Sequence, residues 1–279
     1  MGRLAPLFVG LNLAPRLTGE SLSVKRIAFV VGIFANMYWR LILAVALFLW
    51  PSFVKVFVFR HIGRYRIGKG VRIGFSIFAP HAADIADRVR IGHGNVLAFT
   101  RKVELGADSK IGHFNLILGG EQLHLGEGAW IVRFNEINAI LQPLANGEFD
   151  SRLLIGSRTV ITAWHKIDFT DRVTFGENVV FAGRQSCIWT HNRQQVRPVS
   201  IGRNCYVGSG IQMAPGSSIG AFCVVGMGSI ITRPVTEEYH LVAGMPARAI
   251  RPLDEDGKVF VTFPTRPDLD EITTFAQAR

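Results

Sequence analysis

Histidine and cysteine are the side chains of this chain that could do proton-transfer, metal or thiol chemistry. The 279 residues include eight histidines and three cysteines. An imidazole can take a proton from a hydroxyl or bind a metal ion near neutral pH. Cys187, Cys205 and Cys223 are 18 residues apart, a spacing typical of neither a metal site nor a disulfide framework. We expect them to be buried thiols, with Cys187 facing inward, in a reducing compartment.

Two histidines stand at equivalent places in the chain, because His93 and His113 each follow an isoleucine by two residues. Stacked histidines can bind zinc. The later repeats around Cys205 and Cys223 carry no histidine at this place. We therefore predict no metal site.

A six-residue repeat defines the elements that must position any functional side chain. From Ile201 to Ile231, an aliphatic residue followed by a small one recurs every six residues. This period fits neither an amphipathic helix nor an alternating strand, and it predicts a parallel β-helix built from short strands and turns.

Followed upstream, the repeat predicts eight three-sided coils with one inward apolar residue on each side. The first positions are Ile67, Ile85, Leu105, Leu125, Ile155, Phe175, Ile201 and Ile219. The second are Ile73, Ile91, Ile111, Ile131, Ile161, Phe181, Val207 and Val225. The third are Ala79, Leu97, Ile117, Ile137, Ile167, Cys187, Met213 and Ile231. Two longer intervals, after Leu125 and after Phe175, predict loops extruded from the stack.

A hydrophobic segment precedes the repeat. Ile27–Trp50 is apolar except for Asn36 and Arg40, and as one helix it would reach about 36 Å, enough to cross a bilayer. Basic residues lie on both flanks, which disfavours a single crossing. We expect a re-entrant or interfacial helical hairpin, broken near residues 36–40 or at Pro51. The alternative is a hydrophobic helix packed on the β-helix or on a partner subunit. A cleaved signal peptide is not expected.

The net charge of +10 and the basic run Lys55–Arg72 fit an anionic membrane surface or a phosphate-bearing ligand. No nucleic-acid-binding module accompanies this charge, so we predict no nucleic-acid partner. We divide the chain into a hydrophobic, membrane-associated helical segment (1–62), the β-helix catalytic domain (63–233) and a C-terminal segment (234–279). In the last we expect a strand at Lys258–Phe263 and a short helix after Pro267.

Two C-terminal stretches carry a family resemblance. Pro198–Thr232, with its Pro-Val-Ser-Ile-Gly start, and Val242–Ile250 resemble the C-terminal half of hexapeptide-repeat acyltransferases, and most of all the branch that O-acetylates sugars. The specific resemblance covers about residues 187–252. It implies an all-β fold, a left-handed parallel β-helix, here of about eight coils after an N-terminal hydrophobic helical segment. It also implies a homotrimer with active sites in the clefts between adjacent prisms.

In the similar enzymes, a histidine shortly before the Pro-Val-x-Ile-Gly coil acts as general base on the acceptor hydroxyl, and the matching residue here is His191. A sugar hydroxyl is a poor nucleophile and needs such a base. Asp171 follows Ile167 by four residues, as His191 follows Cys187. If the register holds, we expect Asp171 to lie one strand spacing from His191 and to accept its second ring N–H.

The resemblance also implies a donor site for acetyl-CoA as co-substrate, with no metal. It assigns the backbone N–H of Ser209 to the thioester oxyanion, and it assigns the Arg248 and Arg251 side chains to the CoA phosphates. The residues implied in CoA binding are Gly208, Gly226, Met227, Gly228, Ser229, Thr232, Arg233, Arg248 and Arg251. Arg233 stands where the family often has lysine, Met245 where it often has asparagine, and Tyr206 where tryptophan is common.

The sequence thus predicts an acetyl-CoA-dependent O-acetyltransferase in polysaccharide or surface-glycan biosynthesis. We expect its acceptor to be a sugar or lipid-linked glycan at the cytoplasmic face of the bacterial inner membrane. Two alternatives stay open. One is an N-acetyltransferase acting on an amino sugar, and the other is a noncatalytic membrane scaffold that keeps the β-helix for assembly.

Overall fold

The computed structural model describes residues 38–139 and 149–262. Three sheets form the sides of a prism, and each contributes one strand to every coil. Their strands are parallel, except that the last strand, Ala247–Pro252, pairs antiparallel with His240–Gly244. We call them sheets A, B and C in the order in which the chain visits them, and we name the corners by the sheets they join.

The strands lie in register along each sheet. Sheet A contains β1 Arg66–Ile67, β4 Ala82–Ile85, β7 Lys102–Leu105, β10 Gln122–Leu125, β13 Arg152–Ile155, β16 Val173–Phe175, β19 Val199–Ile201 and β22 Ser218–Ile219. Sheet B contains β2 Arg72–Ile73, β5 Arg90–Ile91, β8 Lys110–His113, β11 Trp130–Arg133, β14 Val160–Ala163, β17 Val180–Phe181, β20 Tyr206–Val207, β23 Val224–Val225, β25 His240–Gly244 and β26 Ala247–Pro252. Sheet C contains β3 Ile77–Ala79, β6 Val96–Ala98, β9 Leu116–Leu118, β12 Glu136–Asn138, β15 Lys166–Asp168, β18 Cys187–Ile188, β21 Gln212–Met213 and β24 Ile230–Ile231.

These strands confirm the predicted all-β parallel β-helix of eight coils. The inward residues of successive coils pair directly, as Leu105 does with Leu125 and Phe175 with Ile201. Because neighbouring strands lie about 4.8 Å apart, each inward row covers the apolar surface of the next. Both long intervals in the repeat are accommodated at C–A corners, where β12 leads to β13 and β18 leads to β19.

The predicted register is wrong by one residue at two places in sheet C. Phe78, rather than Ala79, pairs with Leu97. Ile188, rather than Cys187, pairs with Ile167, and Ile188 is fully buried. The B–C corner of the first coil is one residue shorter than the repeat, and that of the sixth coil is one residue longer. Cys187 therefore faces outward.

A buried polar ladder runs along the B–C corner, beside the apolar rows. Its members are all at most 2% exposed: Ser76, Asn95, Asn115, Asn135, His165 and Ser186. The Asn115 amide donates to Asn95 Oδ1 at 3.0 Å, and the Asn135 amide donates to Asn115 Oδ1 at 3.0 Å. Asn135 Oδ1 in turn accepts the His165 backbone N–H at 3.0 Å. Each side chain of the ladder is thus hydrogen-bonded to a neighbour in an adjacent coil, as buried polar groups require.

Two helices precede the first coil. Residues 38–46 are helical (α1), and α2 spans Ser52–His61 directly after Pro51, which confirms the predicted break at Pro51. Residues 27–37 of the predicted hairpin lie outside the described residues. No helix within the described part of the chain is both long and apolar enough to span a bilayer.

The α2 helix packs on the open end of the first coil. Lys55 is 1% exposed, and its Nζ donates to Phe48 O at 2.7 Å and to Gly74 O at 2.5 Å. Ser52 Oγ accepts the backbone N–H of Ile73 at 2.8 Å. The helix therefore bonds with edge groups that no preceding strand pairs.

The predicted strand at Lys258–Phe263 is wrong, because Glu255–Thr262 forms a helix, α3. Asp254 starts it by accepting the Gly257 N–H on its side chain at 2.9 Å, a typical N-cap. The acidic first turn of Glu255 and Asp256 also suits the positive end of the helix dipole. The helix predicted after Pro267 lies outside the described residues.

Candidate active site

His191 lies on a short hairpin that leaves the C–A corner after β18. The hairpin is closed by the Arg197 N–H, which donates to Thr190 O at 2.8 Å, and by the bridge between His191 and Val196. Asn192 shapes the turn of the hairpin, since its Oδ1 accepts the backbone N–H groups of Gln194 and Gln195. The longer interval before Ile201 thus holds the imidazole away from the flat side of the prism.

A buried carboxylate contacts this imidazole. His191 Nδ1 lies 2.8 Å from Asp168 Oδ2, and the His191 side chain is 40% exposed whereas that of Asp168 is 5% exposed. Asp168 ends β15 in the preceding coil, so the rigid sheet fixes the carboxylate while the hairpin carries the histidine.

Two threonines surround the Asp168 carboxylate with hydrogen-bond donors. Thr190 donates its N–H (3.0 Å) and its hydroxyl (2.7 Å) to Oδ2. Thr170 donates its N–H (3.2 Å) and its hydroxyl (2.7 Å) to Oδ1. Burial acts to raise the pKa of Asp168, but the bonds from Thr170, Thr190 and His191 together hold that pKa below its ordinary value. The carboxylate is therefore ionised at neutral pH.

The ionised carboxylate determines which ring nitrogen carries the proton. An ionised Asp168 can only accept, so Nδ1 of neutral His191 must be the donor and Nε2 has the free lone pair. Nε2 of a partly exposed imidazole is then able to remove a proton from a bound hydroxyl. Asp168 holds the tautomer and stabilises the imidazolium that forms.

The predicted contact between Asp171 and His191 is wrong. The Asp171 side chain accepts the neighbouring Arg172 N–H at 2.7 Å, and its backbone N–H donates to Thr190 Oγ1 at 3.0 Å. The extra residue in the B–C corner of the sixth coil shifts His191 by one position, so it is no longer in register with Asp171. From the hairpin, its imidazole contacts Asp168 instead. Asp171 supports the position of Thr190 instead.

Ser209 lies at the B–C corner of the seventh coil. Within the described ranges its backbone N–H has no hydrogen-bond acceptor. At the equivalent place of earlier coils, the histidine of the next coil accepts this N–H, as His113 Nδ1 does for His93 at 3.0 Å. The residue that follows Ser209 in this column is Met227, which offers no such acceptor. The N–H predicted for the oxyanion is therefore available.

A glycine makes room for the Ser209 side chain. Gly183 has a φ of +69°, and a Cβ at this position would lie 1.6 Å from Ser209 Oγ. The sixth coil therefore needs glycine at residue 183 both for its backbone conformation and for this close approach.

Residues implied in CoA binding fall into three places. Gly208, Gly226, Met227 and Gly228 line the B–C corner with Ser209, whose carbonyl accepts the Gly228 N–H at 2.9 Å. Met227 is 80% exposed. Thr232 and Arg233 are exposed at the C–A corner after β24, and Arg248 and Arg251 are exposed on β26.

Ser229 and Arg251 are implied CoA ligands whose side chains have contacts within the chain. The Ser229 hydroxyl is buried and donates to Gly226 O at 2.6 Å, so it shapes the turn. Arg251 Nη1 lies 3.6 Å from Asp254 Oδ2, an exposed ion pair that a phosphate could replace because such pairs contribute little to stability.

The single chain does not bring His191 and Ser209 together. Ser209 lies at the B–C corner, where the strands of sheet C begin, and His191 lies at the C–A corner, where they end. Ala214, the C–A corner residue of the coil that contains Ser209, comes five positions after Ser209. At about 3.3 Å per extended residue, the two corners are roughly 15 Å apart. Two surfaces of the prism thus carry complementary parts of the predicted site.

Sequence reasoning missed Asp168 and the two threonines. The signal was present as Asp168-Phe169-Thr170 in one coil and Thr190-His191 in the next, but pairing them needed the true register. His93 and His113 do stack, with ring centroids 5.5 Å apart. In the parts of the chain that the structure describes, no three His, Cys, Asp or Glu residues are grouped to bind a metal ion.

No protein-family model and no curated protein matches this chain. Among solved structures, the chain is similar to UDP-N-acetylglucosamine acyltransferases from Bacteroides fragilis (15% identity, TM-score 0.47) and Campylobacter jejuni (14% identity, TM-score 0.45). Each match covers 77% of this chain and 78% of the other. The polySia-specific acetyltransferase NeuO is similar at 15% identity and a TM-score of 0.40, over 77% of this chain and 94% of that one. Similarity at this level establishes no activity for this chain.

Proposed function

We propose that this protein transfers an acetyl group from acetyl-CoA to a hydroxyl group of a sugar. The observation that carries the proposal is the His191–Asp168 pair, in which a buried, ionised carboxylate orients a partly exposed imidazole. This is the arrangement by which a histidine becomes a general base for a hydroxyl nucleophile. The Pro198–Thr232 resemblance to sugar O-acetyltransferases supports the donor and acceptor classes.

The reaction proceeds by direct attack. Nε2 of His191 takes the proton as the sugar oxygen bonds to the thioester carbonyl carbon. The resulting oxyanion is stabilised by the Ser209 N–H. When the C–S bond breaks, the CoA sulfur leaves and takes the proton back from the His191 imidazolium. Asp168 stays ionised throughout and stabilises the imidazolium.

We propose that the complete site forms between two copies of the chain in a homotrimer. His191 of one copy would face the B–C corner of its neighbour, where Ser209, Met227 and Gly228 line a groove for the pantetheine arm. The separation of the two corners within one chain supports this arrangement, since one copy alone leaves the base and the oxyanion donor apart. The acceptor would be a sugar of a polysaccharide or a lipid-linked glycan.

The test is release of CoA thiol from acetyl-CoA with a panel of glycan acceptors, comparing the purified wild type with His191→Ala. We expect acceptor-dependent release that falls by at least about 10²-fold in the variant, the usual contribution of a general base. CoA binding and the thermal unfolding midpoint should be unchanged.

His124 provides a matched control. Its side chain is 43% exposed, close to that of His191, and it also faces a carboxylate, Glu104 at 3.3 Å. His124 lies on sheet A, away from both corners, so His124→Ala should keep full activity. Equal release by wild type and His191→Ala would exclude the proposed base. Transfer to amino sugars alone would identify an N-acetyltransferase, and failure of the wild type to bind CoA would favour the scaffold.

A further inference from the structure

An exposed apolar face covers the two N-terminal helices. Its members are between 52% and 76% exposed: Ile42, Val45, Leu49, Trp50, Phe53 and Phe57. Ile42 and Val45 lie on α1, Leu49 and Trp50 in the turn before Pro51, and Phe53 and Phe57 on α2. In contrast, Ala44, Lys55 and Phe59 are buried. Large apolar side chains exposed together in one segment mark a surface that meets a partner or a membrane. We call it the helical apolar face.

A column of positive charge lies on the outer side of sheet B. Arg72 pairs with Arg90, and Arg90 with Lys110, on consecutive strands, so the three side chains stand about one strand spacing apart. Like charges directly opposite each other destabilise a sheet. We call these three residues the cation column.

The cation column is only partly neutralised from within the described parts of the chain, where the Asp108 carboxylate interacts electrostatically with Arg90 and Lys110. None of its three members has a carboxylate within ion-pair distance there, whereas the nearby Arg88 is paired with Asp108 at 2.6 Å. Lys110 Nζ lies over the Trp130 ring at 5.0 Å, a contact that keeps its charge. The repulsion along the column is therefore available to be relieved by an anionic partner.

The two features form one surface. Phe53, Phe57 and Arg72 line a single shallow groove between α2 and the second strand. Arg72, Arg90 and Lys110 line the adjoining groove on sheet B, together with the ion-paired Arg88 and Asp108. Arg72 belongs to both, so Phe53 and Phe57 of the helical apolar face adjoin the cation column.

We propose that this surface docks the protein on an anionic phospholipid bilayer. Aromatic and aliphatic side chains of the helical apolar face enter the boundary between headgroups and acyl chains, as in interfacial amphipathic helices. The cation column contacts lipid phosphates, which attract Lys and Arg close to the surface. Apolar burial and charge act together here, whereas a soluble polyanion would use only the column. The inference is independent of the proposed acyl transfer.

The experiment is co-sedimentation of the full-length protein with vesicles of phosphatidylcholine alone and with vesicles that are about one third phosphatidylglycerol. We expect binding to the anionic vesicles. The double variant Arg90→Glu with Lys110→Glu should bind them at least about 25-fold more weakly, since each of the two cations contributes roughly a factor of five near an anionic surface. Phe53→Ser with Phe57→Ser should weaken binding by at least about tenfold through lost apolar burial.

A matched control has the same change of charge elsewhere. Arg203→Glu with Lys258→Glu alters one exposed and one half-exposed cation in the C-terminal part of the chain and should bind like the wild type. The proposal is overturned if the wild type does not bind anionic vesicles. It is also overturned if the two test variants bind the vesicles as tightly as the control variant does, because other segments of the chain would then be responsible for binding. Capture by a soluble anionic polysaccharide in place of the vesicles would also overturn it.

Discussion

Replacing Asp168 with asparagine tests the active-site geometry most directly. The asparagine has the same shape but no charge, so any effect reports on the carboxylate rather than on packing. Both carboxylate oxygens accept a backbone N–H, from Thr170 at 3.2 Å and from Thr190 at 3.0 Å. The amide NH₂ must therefore oppose one of two fixed donors. The Thr170 side has the longer bond and is where we expect the NH₂ to lie, which leaves the amide oxygen facing His191.

The magnitude follows from this placement. His191 keeps an acceptor at Nδ1 but its imidazolium loses a charged partner, and hydrogen bonds to charged groups contribute about 1.5–3 kcal/mol. At about 1.4 kcal/mol per factor of ten, kcat/KM should fall about 10- to 150-fold. The buried Thr170 N–H loses its acceptor, so the free energy of unfolding should also fall by about 1–3 kcal/mol.

The assay is acceptor-dependent thiol release, with CoA binding measured on the same protein. In Asp168→Asn we expect kcat/KM to fall while CoA binding is unchanged, because the carboxylate acts on His191; a purely structural role would weaken CoA binding as well. Asp171→Asn is the matched control and should stay within about twofold of the wild type. Loss of activity in Asp171→Asn with activity retained in Asp168→Asn would refute the reasoning. So would a ¹⁵N spectrum showing the Nε2–H tautomer of His191 in the wild type.

Three further outcomes are expected. Burial lowers the pKa of His165 from 6.5 to about 4, so between those pH values only the unfolded chain binds this proton. The free energy of unfolding should therefore fall by about 3 kcal/mol as the pH drops from 6.5 to 4. In His165→Asn, which extends the asparagine ladder, urea unfolding should show little of this loss. Ser209→Ala should keep kcat within a few-fold, because the proposed donor is the backbone N–H; a 10²-fold loss would assign the role to the hydroxyl. Lys55→Met should lower the free energy of unfolding by about 2–3 kcal/mol, since two carbonyls lose a charged donor. Amide hydrogen exchange should become faster in α2 than in the coils. Unchanged protection of α2 would contradict the role of Lys55 in holding this helix on the first coil.

The sequence predicted the fold well because every coil repeats the same requirement for an inward apolar residue. Twenty-two of twenty-four inward positions follow from the period alone, and the errors at Ala79 and Cys187 arise where a corner gains or loses one residue. At both places an apolar neighbour, Phe78 or Ile188, satisfies the pattern equally well. Periodicity cannot detect such a slip.

That slip also contributes to the error in the site. The one-residue shift moves His191 out of register with Asp171, and the hairpin after Thr190 then places its side chain against Asp168. The histidine itself was predictable from its place before the Pro198–Thr232 coil. The carboxylate was not, because its contact depends on the hairpin after Thr190 and on hydrogen bonds across two coils.

The α2 helix has a consequence for self-association. At each end of a stack of coils, the last strands expose unpaired N–H and C=O groups that can pair with the strands of a second molecule. A β-helix whose end is not covered can therefore associate end to end into filaments. Ser52 and Lys55 bond with the Ile73 N–H and the Gly74 carbonyl, and Arg60 bonds with the Ile67 carbonyl at 2.8 Å. The same segment that carries the helical apolar face therefore terminates the stack, and a chain shortened to start at the first coil would grow end to end into fibres.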